Sequence, residues 1–399
     1  MEQGDDVPIQ RTMWIRVAAV LLLALLAVPV SGTASAGAAE PGDALNLVRS
    51  YLIPASEPEA ATIGDRGWTY DSAVTAAAYA ATGQAAAAEP ILDDLAALQQ
   101  PDGALGFSYD VRTGSADMLA RSGAIAWVGI AAAQYRTSTC SPRYDGLMAG
   151  VAHWLLAHRI TDPASRGYGF VPGGPDVSWI SAEHNFEARA LYARAAALIN
   201  GTVGTCAGGL AGVGQAEAAQ LAADLHQATV TADAAIQREL FVREGPRRAH
   251  LNQGVGDGAR PIDAQALGTL WLIGQGRRTD ATSVITAADS EMLLTRRWFE
   301  GHPEAGRFTG YKPYAEAWGP DVLWMEGTLQ MRMAKAAAGV STDVIDENAA
   351  RWATLGTGGL LPQADRTLVG NPAGDYHTWP AAAPAAWLRL ASSGSTILS

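Results

Sequence analysis

Six times between Thr69 and Pro380, a loop rich in Gly, Pro, Trp and Asp runs into a stretch of small apolar residues with helical periodicity. These stretches are TYDSAVTAAAYAA from Thr69, SGAIAWVGIAAAQY from Ser122, SAEHNFEARALYARAAALI from Ser181, IDAQALGTLWLIG from Ile262, DVLWMEGTLQMRMAKAAAG from Asp321 and PAAAPAAWLRLASS from Pro380. Successive starts lie 53, 59, 81, 59 and 59 residues apart. A unit of this size cannot bury its apolar face alone, so recurrence at a near-constant spacing calls for an array of like units. Few runs alternate in the manner of strands, and the chain reads as all-α.

More amphipathic second helices are expected at about 89–99, 144–158, 214–239, 281–296 and 345–355. The sixth start has no second helix after it, while DALNLVRSYLI from Asp43 is a spare helical stretch at the other end. Six first helices and six second helices, with the N-terminal one completing the last pair, describe a closed toroid of six helical hairpins, (α/α)6. Small-residue helices then pack inside and amphipathic ones outside. An open stack of hairpins is the alternative, and a lone helix at each end favours closure. In a closed ring the first helices run parallel, so their N-termini and entering loops share one mouth.

No Pro- or Ser-rich linker divides the chain, and residues 37–399 read as a single domain. Residues 1–36 stand apart. Arg11 and Arg16 precede the apolar run VAAVLLLALLAVPV, and Ala34-Ser35-Ala36 is an A-x-A cleavage site. The run is short for a membrane span, so residues 1–36 read as a signal peptide and the remainder as a secreted, soluble monomer; an uncleaved anchor is the rival reading. Beyond residue 36 there are 26 basic and 37 acidic side chains, a formal charge of −11. Such a chain offers no basic stripe to nucleic acid or anionic polymers and suits neutral partners. Export also makes a disulfide between Cys140 and Cys206, the two cysteines, the favoured reading.

WTYDSAVTAAAYAATG, QQPDGALGFSYD, GAIAWVG, GGPDVSWISAEHN, VLWMEGT and HTWPAAAPAAWL together resemble the six-hairpin (α/α)6-toroid class. That class holds many secreted glycoside hydrolases and some polysaccharide lyases. The likeness extends over nearly all of 37–399 and implies the toroid and a carbohydrate partner. QQPDGALGF is also similar to the glutamine-rich turns of terpene cyclases, which share the toroid, but the chain has no DxDD acid motif.

Polar residues collect where the mouth is expected. Asp71, Arg121, Asp176, Glu183, His184, Asn185, Asp263, Asp321, Glu326 and His377 lie at or just before the first turns. Trp68, Trp179, Trp318 and Trp379 stand on the entering loops, and Tyr70, Trp127 and Trp324 in the first turns. Aromatic faces stack on sugar C–H surfaces, and carboxylates bind hydroxyls or move protons. Any single acid here also suits a helix N-terminus, where it caps free N–H groups. The pattern lies in the set: four of the six inner helices carry an acid at or just before the start.

Glycoside hydrolysis needs two carboxyl groups flanking the scissile bond. Glu183, without a local cation, is the leading candidate for the acid, with Asp71 or Glu326 as base and Asp176 as alternate acid. Glu187, two residues before Arg189, reads as an ion-paired structural residue. The substrate-binding set is Trp68, Tyr70, Trp127, Trp179, His184, Asn185, Asp263, Asp321, Trp324 and His377.

Two other readings compete. A polysaccharide lyase would use Tyr70 or His184 as base with Asn185 and Arg121 as neutralisers, but few cations stand at the mouth for a uronate. A non-catalytic carbohydrate-binding toroid would lack a functional carboxyl pair. The chain has no HExxH, no CxxC pair and no EF-hand loop, so no metal or cofactor is expected. It also has no GxSxG elbow for a serine hydrolase.

Overall fold

The computed structural model describes residues 40–245, 247–394 and 397–398. The expected signal peptide, 1–36, lies outside the described residues. The described residues belong to one compact unit, Ala34–Ser399.

After a one-turn helix α1 (Ala60–Ile63) come six inner helices: α2 (Thr69–Ala81), α4 (Ser122–Thr139), α6 (Ala182–Ile199), α8 (Ile262–Gly274), α10 (Met325–Ala338) and α12 (Ala382–Ser393). Between them run α3 (Ala85–Leu98), α5 (Asp145–His158), α7 (Gln215–Glu239), α9 (Arg278–Met292) and α11 (Asp343–Ala353). Each inner helix packs on the next, and α12 packs back on α2, so the ring is closed. Composition sorts the two layers. Eleven of the thirteen residues of α2 are buried, and most of them are Ala, Ser and Thr, small enough to be enclosed on all sides. In α11 only Ile345, Asn348, Ala349 and Trp352 are buried, a single stripe facing inward. Fully buried side chains such as Leu92 and Leu95 on α3 each contribute about 1.5–3 kcal/mol.

The expected helix at Asp43 does not form. Residues 43–53 run extended and bridge the two ends of the ring. Ser50 N–H donates to the Arg66 carbonyl and Leu52 N–H to the Pro380 carbonyl, while Ala382 N–H donates to the Ser50 carbonyl. Backbone partners on both sides of the seam thus outweigh the segment's local helical pattern. Leu47 and Val48 are buried there, so the seam is filled without a twelfth long helix.

The inner helix expected at Asp321 starts at Met325. Leu323 N–H is held by the Asp365 carboxylate and Trp324 N–H by the Tyr311 carbonyl, which keeps these residues extended.

Short antiparallel strands stiffen the loops at the mouth. β1 (Arg66–Trp68), β2 (Ser108–Asp110) and β3 (Ala116–Asp117) form one sheet. Two-stranded pairs are β4 (Phe241–Gly245) with β5 (Arg248–Leu251), β6 (Leu293–Arg296) with β7 (Phe308–Tyr311), and β8 (Leu361–Pro362) with β9 (Pro380–Ala381). β1 leads directly into α2, and β9 into α12.

Cys140 and Cys206 form a disulfide across 66 residues. Cys140 ends α4 at φ 57°, the left-handed region, which costs a side-chain-bearing residue about 1–2 kcal/mol.

Candidate active site

Three inner helices are anchored at their first turn by the same device. Asn185, four residues after the N-cap Ser181, accepts from Val171 N–H at 2.8 Å and donates to the carbonyls of Val171 and Ser181 at 3.0 and 2.8 Å. Gln265 on α8 does likewise with Leu251 N–H, Leu251 O and Pro261 O. Thr328 on α10 accepts from Tyr311 N–H and donates to Trp324 O. Each clamp ties the preceding loop to the helix start, so the residues of the first turn are held in fixed register.

These first turns surround a cavity of about 540 Å³. Asp71 reaches it from α2, Glu183, His184 and Glu187 from α6, and Glu326 from α10; Tyr51, Trp68, Tyr70, Phe107, Arg121, Gly123 and Ala124 complete the wall. Asp263, on the first turn of α8, is close enough for its charge to act on Glu183, Glu187 and Glu326. Aromatic rings brace the wall at and beneath these acids. Tyr70 meets Trp127 edge-on at 6.0 Å, and Trp127 meets Trp387 at 5.4 Å.

The acids differ in what holds them. Tyr70 Oη donates to Glu326 Oε1 at 2.5 Å and itself accepts from the indole N–H of Trp387 at 2.9 Å. Trp127 Nε1 donates to Glu187 Oε1 at 2.6 Å. Glu183 has no such donor. Burial pushes the Glu183 carboxyl well above the usual range, and the charges of Asp263, Glu187 and Glu326 push it further. Burial also raises Glu187, against the Trp127 hydrogen bond. Glu326 is raised to about 8 by burial, opposed chiefly by the Tyr70 bond and augmented by the charge of Asp71. Burial takes Asp71 to about 7 and Asp263 to about 6. His184 is held down to about 4 by burial and then by the Arg121 charge, so its imidazole is neutral. At neutral pH this cluster holds protons that isolated carboxylates would have lost.

Several sequence-predicted residues stand elsewhere. Asp176 is exposed and paired with Arg121 at 2.7 Å, which holds its carboxyl below the usual range; an ionised, exposed acid is not poised to donate a proton. Asp321 is exposed and paired with Arg296. Asn185 is buried in its clamp and presents nothing to the cavity. Trp127 is wholly buried behind the wall. Trp324, the N-cap of α10, packs edge-on to Tyr376, and His377 stacks on Trp379 at 3.5 Å. Trp179 is 40 % exposed on its loop, and its ring meets His184 edge-on at 6.5 Å.

Glu187 departs from expectation in the other direction. Arg189 turns to Asp233 on α7 at 2.8 Å, which leaves Glu187 to the cavity. The signal was its place one turn below Glu183 on the same helical face. Tyr51, Phe107 and Trp387 were also missed. Tyr51 and Phe107 lie outside the six helix starts, and Trp387 stands in the second turn of α12, so proximity to a helix start did not mark them.

No protein-family model and no curated protein matches the chain. Solved structures do. A wild-type glycosidase superposes with TM-score 0.57 at 15 % identity, covering 89 % of this chain and 93 % of its own. A glycoside hydrolase family 76 mannosidase from Bacteroides thetaiotaomicron gives TM-score 0.57 at 11 % identity over 92 % and 96 %. A bacterial glucoamylase complexed with acarbose gives 0.57 at 13 % identity over 84 % of this chain and 49 % of its own.

The fold is the six-hairpin toroid of these glycosidases. In this toroid the five acids come from four different hairpins, between 71 and 326 in sequence, and only ring closure gathers them. Gly123, at the start of α4, shows how tightly. A Cβ there would lie 2.4 Å from His184 Cδ2 and 2.6 Å from Glu187 Oε2, so a larger residue would displace both side chains.

Proposed function

We propose that the protein is an exported glycoside hydrolase acting on an oligo- or polysaccharide in the cavity at the toroid mouth. One observation carries the reading: carboxyl groups from separate hairpins, buried or half-buried, face one cavity, and their hydrogen bonding sets them apart. Glu183 has no donor, and burial with the charges of Asp263, Glu187 and Glu326 favours its protonated form, which suits the general acid that protonates the leaving glycosidic oxygen. Glu326 has Oε1 held by Tyr70 and, at 3.4 Å, by Gln330, and the Tyr70 bond lowers its proton affinity against burial, which suits the base that takes a proton from water. Trp387, donating to Tyr70, holds that phenol as a donor toward Glu326. Trp68 and Tyr51 on the wall offer faces for a sugar ring. Export is supported by the apolar run and A-x-A site within 1–36, and by the Cys140–Cys206 disulfide, which fits an oxidising compartment.

The test is release of new reducing ends from a panel of oligosaccharides by the purified protein. Glu183→Gln should lower kcat by about 10²- to 10⁴-fold with the fold intact. Wild-type turnover by that variant would remove the assignment.

A further inference from the structure

Glycoside hydrolysis employs two carboxyl groups, yet five are gathered here. Among the described residues, none of Asp71, Glu183, Glu187, Asp263 and Glu326 is in an ion pair. Arg121 is the one permanent cation on the cavity wall, and Asp176 engages it. His184, the other basic group there, is neutral, and its Nδ1 has no partner. A buried carboxyl group costs far more to retain than an amide of the same shape, unless something pairs with it. Neutral hydroxyls would be served as well by Asn or Gln.

Hydrolysis by Glu183 and Glu326 leaves Asp71, Glu187 and Asp263 unused, and Glu187 is the one with an oxygen fixed from behind the wall. It is 2 % exposed, lines the cavity, and has Oε1 fixed by the Trp127 indole at 2.6 Å. Its Oε2 has no partner among the described residues. Fixing one oxygen aims the other, and the bare backbone of Gly123 lies beside it. The charges acting there come from Asp263 on α8 and Glu326 on α10, and both favour a cation.

We propose that the cavity selects a sugar bearing a protonated amine, a glucosamine-type residue, with the free oxygen of Glu187 receiving the ammonium group. The choice of a sugar rests on the hydrolase reading; the choice of a cation rests on the unpaired acids alone. An ammonium among them converts mutual repulsion into attraction and draws protons off carboxyls that hold them at neutral pH. Binding therefore releases protons, whereas a neutral sugar leaves the proton count unchanged.

The experiment compares kcat/KM of the full chain on fully deacetylated chitosan oligosaccharides, on their N-acetylated counterparts and on neutral gluco-oligosaccharides. The expected result is at least about tenfold preference for the amino sugar, the factor set by roughly one charge-assisted contact. Glu187→Gln, which keeps an oxygen for Trp127, should shrink that preference about tenfold. Calorimetry of glucosamine and glucose on the wild-type protein, in two buffers of different ionisation heat, should show tighter binding and proton release for glucosamine only. It needs neither turnover nor a folded variant. Cleavage of neutral chains with equal or greater efficiency overturns the amine proposal and leaves the hydrolase reading standing. Absence of any cleavage defeats the hydrolase reading, and calorimetry then decides: tighter glucosamine binding with proton release supports the amine site, and equal binding overturns it.

Discussion

The phenol of Tyr70, on the first turn of α2, donates to Oε1 of Glu326 on α10 across 256 residues of chain. The bond lowers the carboxyl's affinity for a proton against the burial that raises it to about 8. It also makes Tyr70 a positioning residue whose loss has a readable signature. Tyr70→Phe should move the acid limb of the pH–rate profile to higher pH, because Glu326 without its donor gains a proton more easily. A loss in kcat of about tenfold or more should accompany the shift. An unmoved acid limb would show that Glu326 is not the titrating base.

Asp71 links the site to stability. The residue is 9 % exposed, and burial raises its carboxyl from 3.8 to about 7. A group raised on folding gives its stability below its unfolded value and loses it as pH climbs through the folded value, here between about 4 and 7. Asp71→Asn should therefore leave thermal stability unchanged at pH 4 and raise it by up to about 4 kcal/mol at pH 8. Melting curves at the two pH values check the difference, and equal effects at both would refute it.

Asn185 is assigned to the clamp. Asn185→Ala leaves the N–H and carbonyl of Val171 without partners in a buried loop, so the loss should be about 2–4 kcal/mol of stability. KM should change only as far as the α6 first turn loosens. A variant of unchanged stability with a large rise in KM would instead place Asn185 against substrate.

The Cys140–Cys206 bridge closes a loop of 66 residues around α5 and α6. Cys140→Ser should cost about 2–4 kcal/mol, chiefly through the wider unfolded ensemble. Denaturant unfolding of oxidised and reduced wild-type protein, compared with the variant, measures this; the reduced protein and the variant should agree.

The six recurring helix starts, the all-α class and the closed ring follow from the sequence by itself, because helical period, small-residue content and turn residues act over a few neighbours. So does the concentration of acids at inner-helix N-termini, where backbone N–H groups and the helix dipole act locally. What became of each acid was decided only in the tertiary structure. Arg121 and Arg296 neutralise Asp176 and Asp321 from other loops, Asp233 draws Arg189 away from Glu187, and Asn185 turns inward to hold Val171. The stretch after Asp43 likewise has a helical pattern yet is drawn out by carbonyls of Arg66 and Pro380, which stand together only after the ring closes. Partner choice among charges and backbone groups is a long-range matter of distance and burial, and no spacing along the chain encodes it.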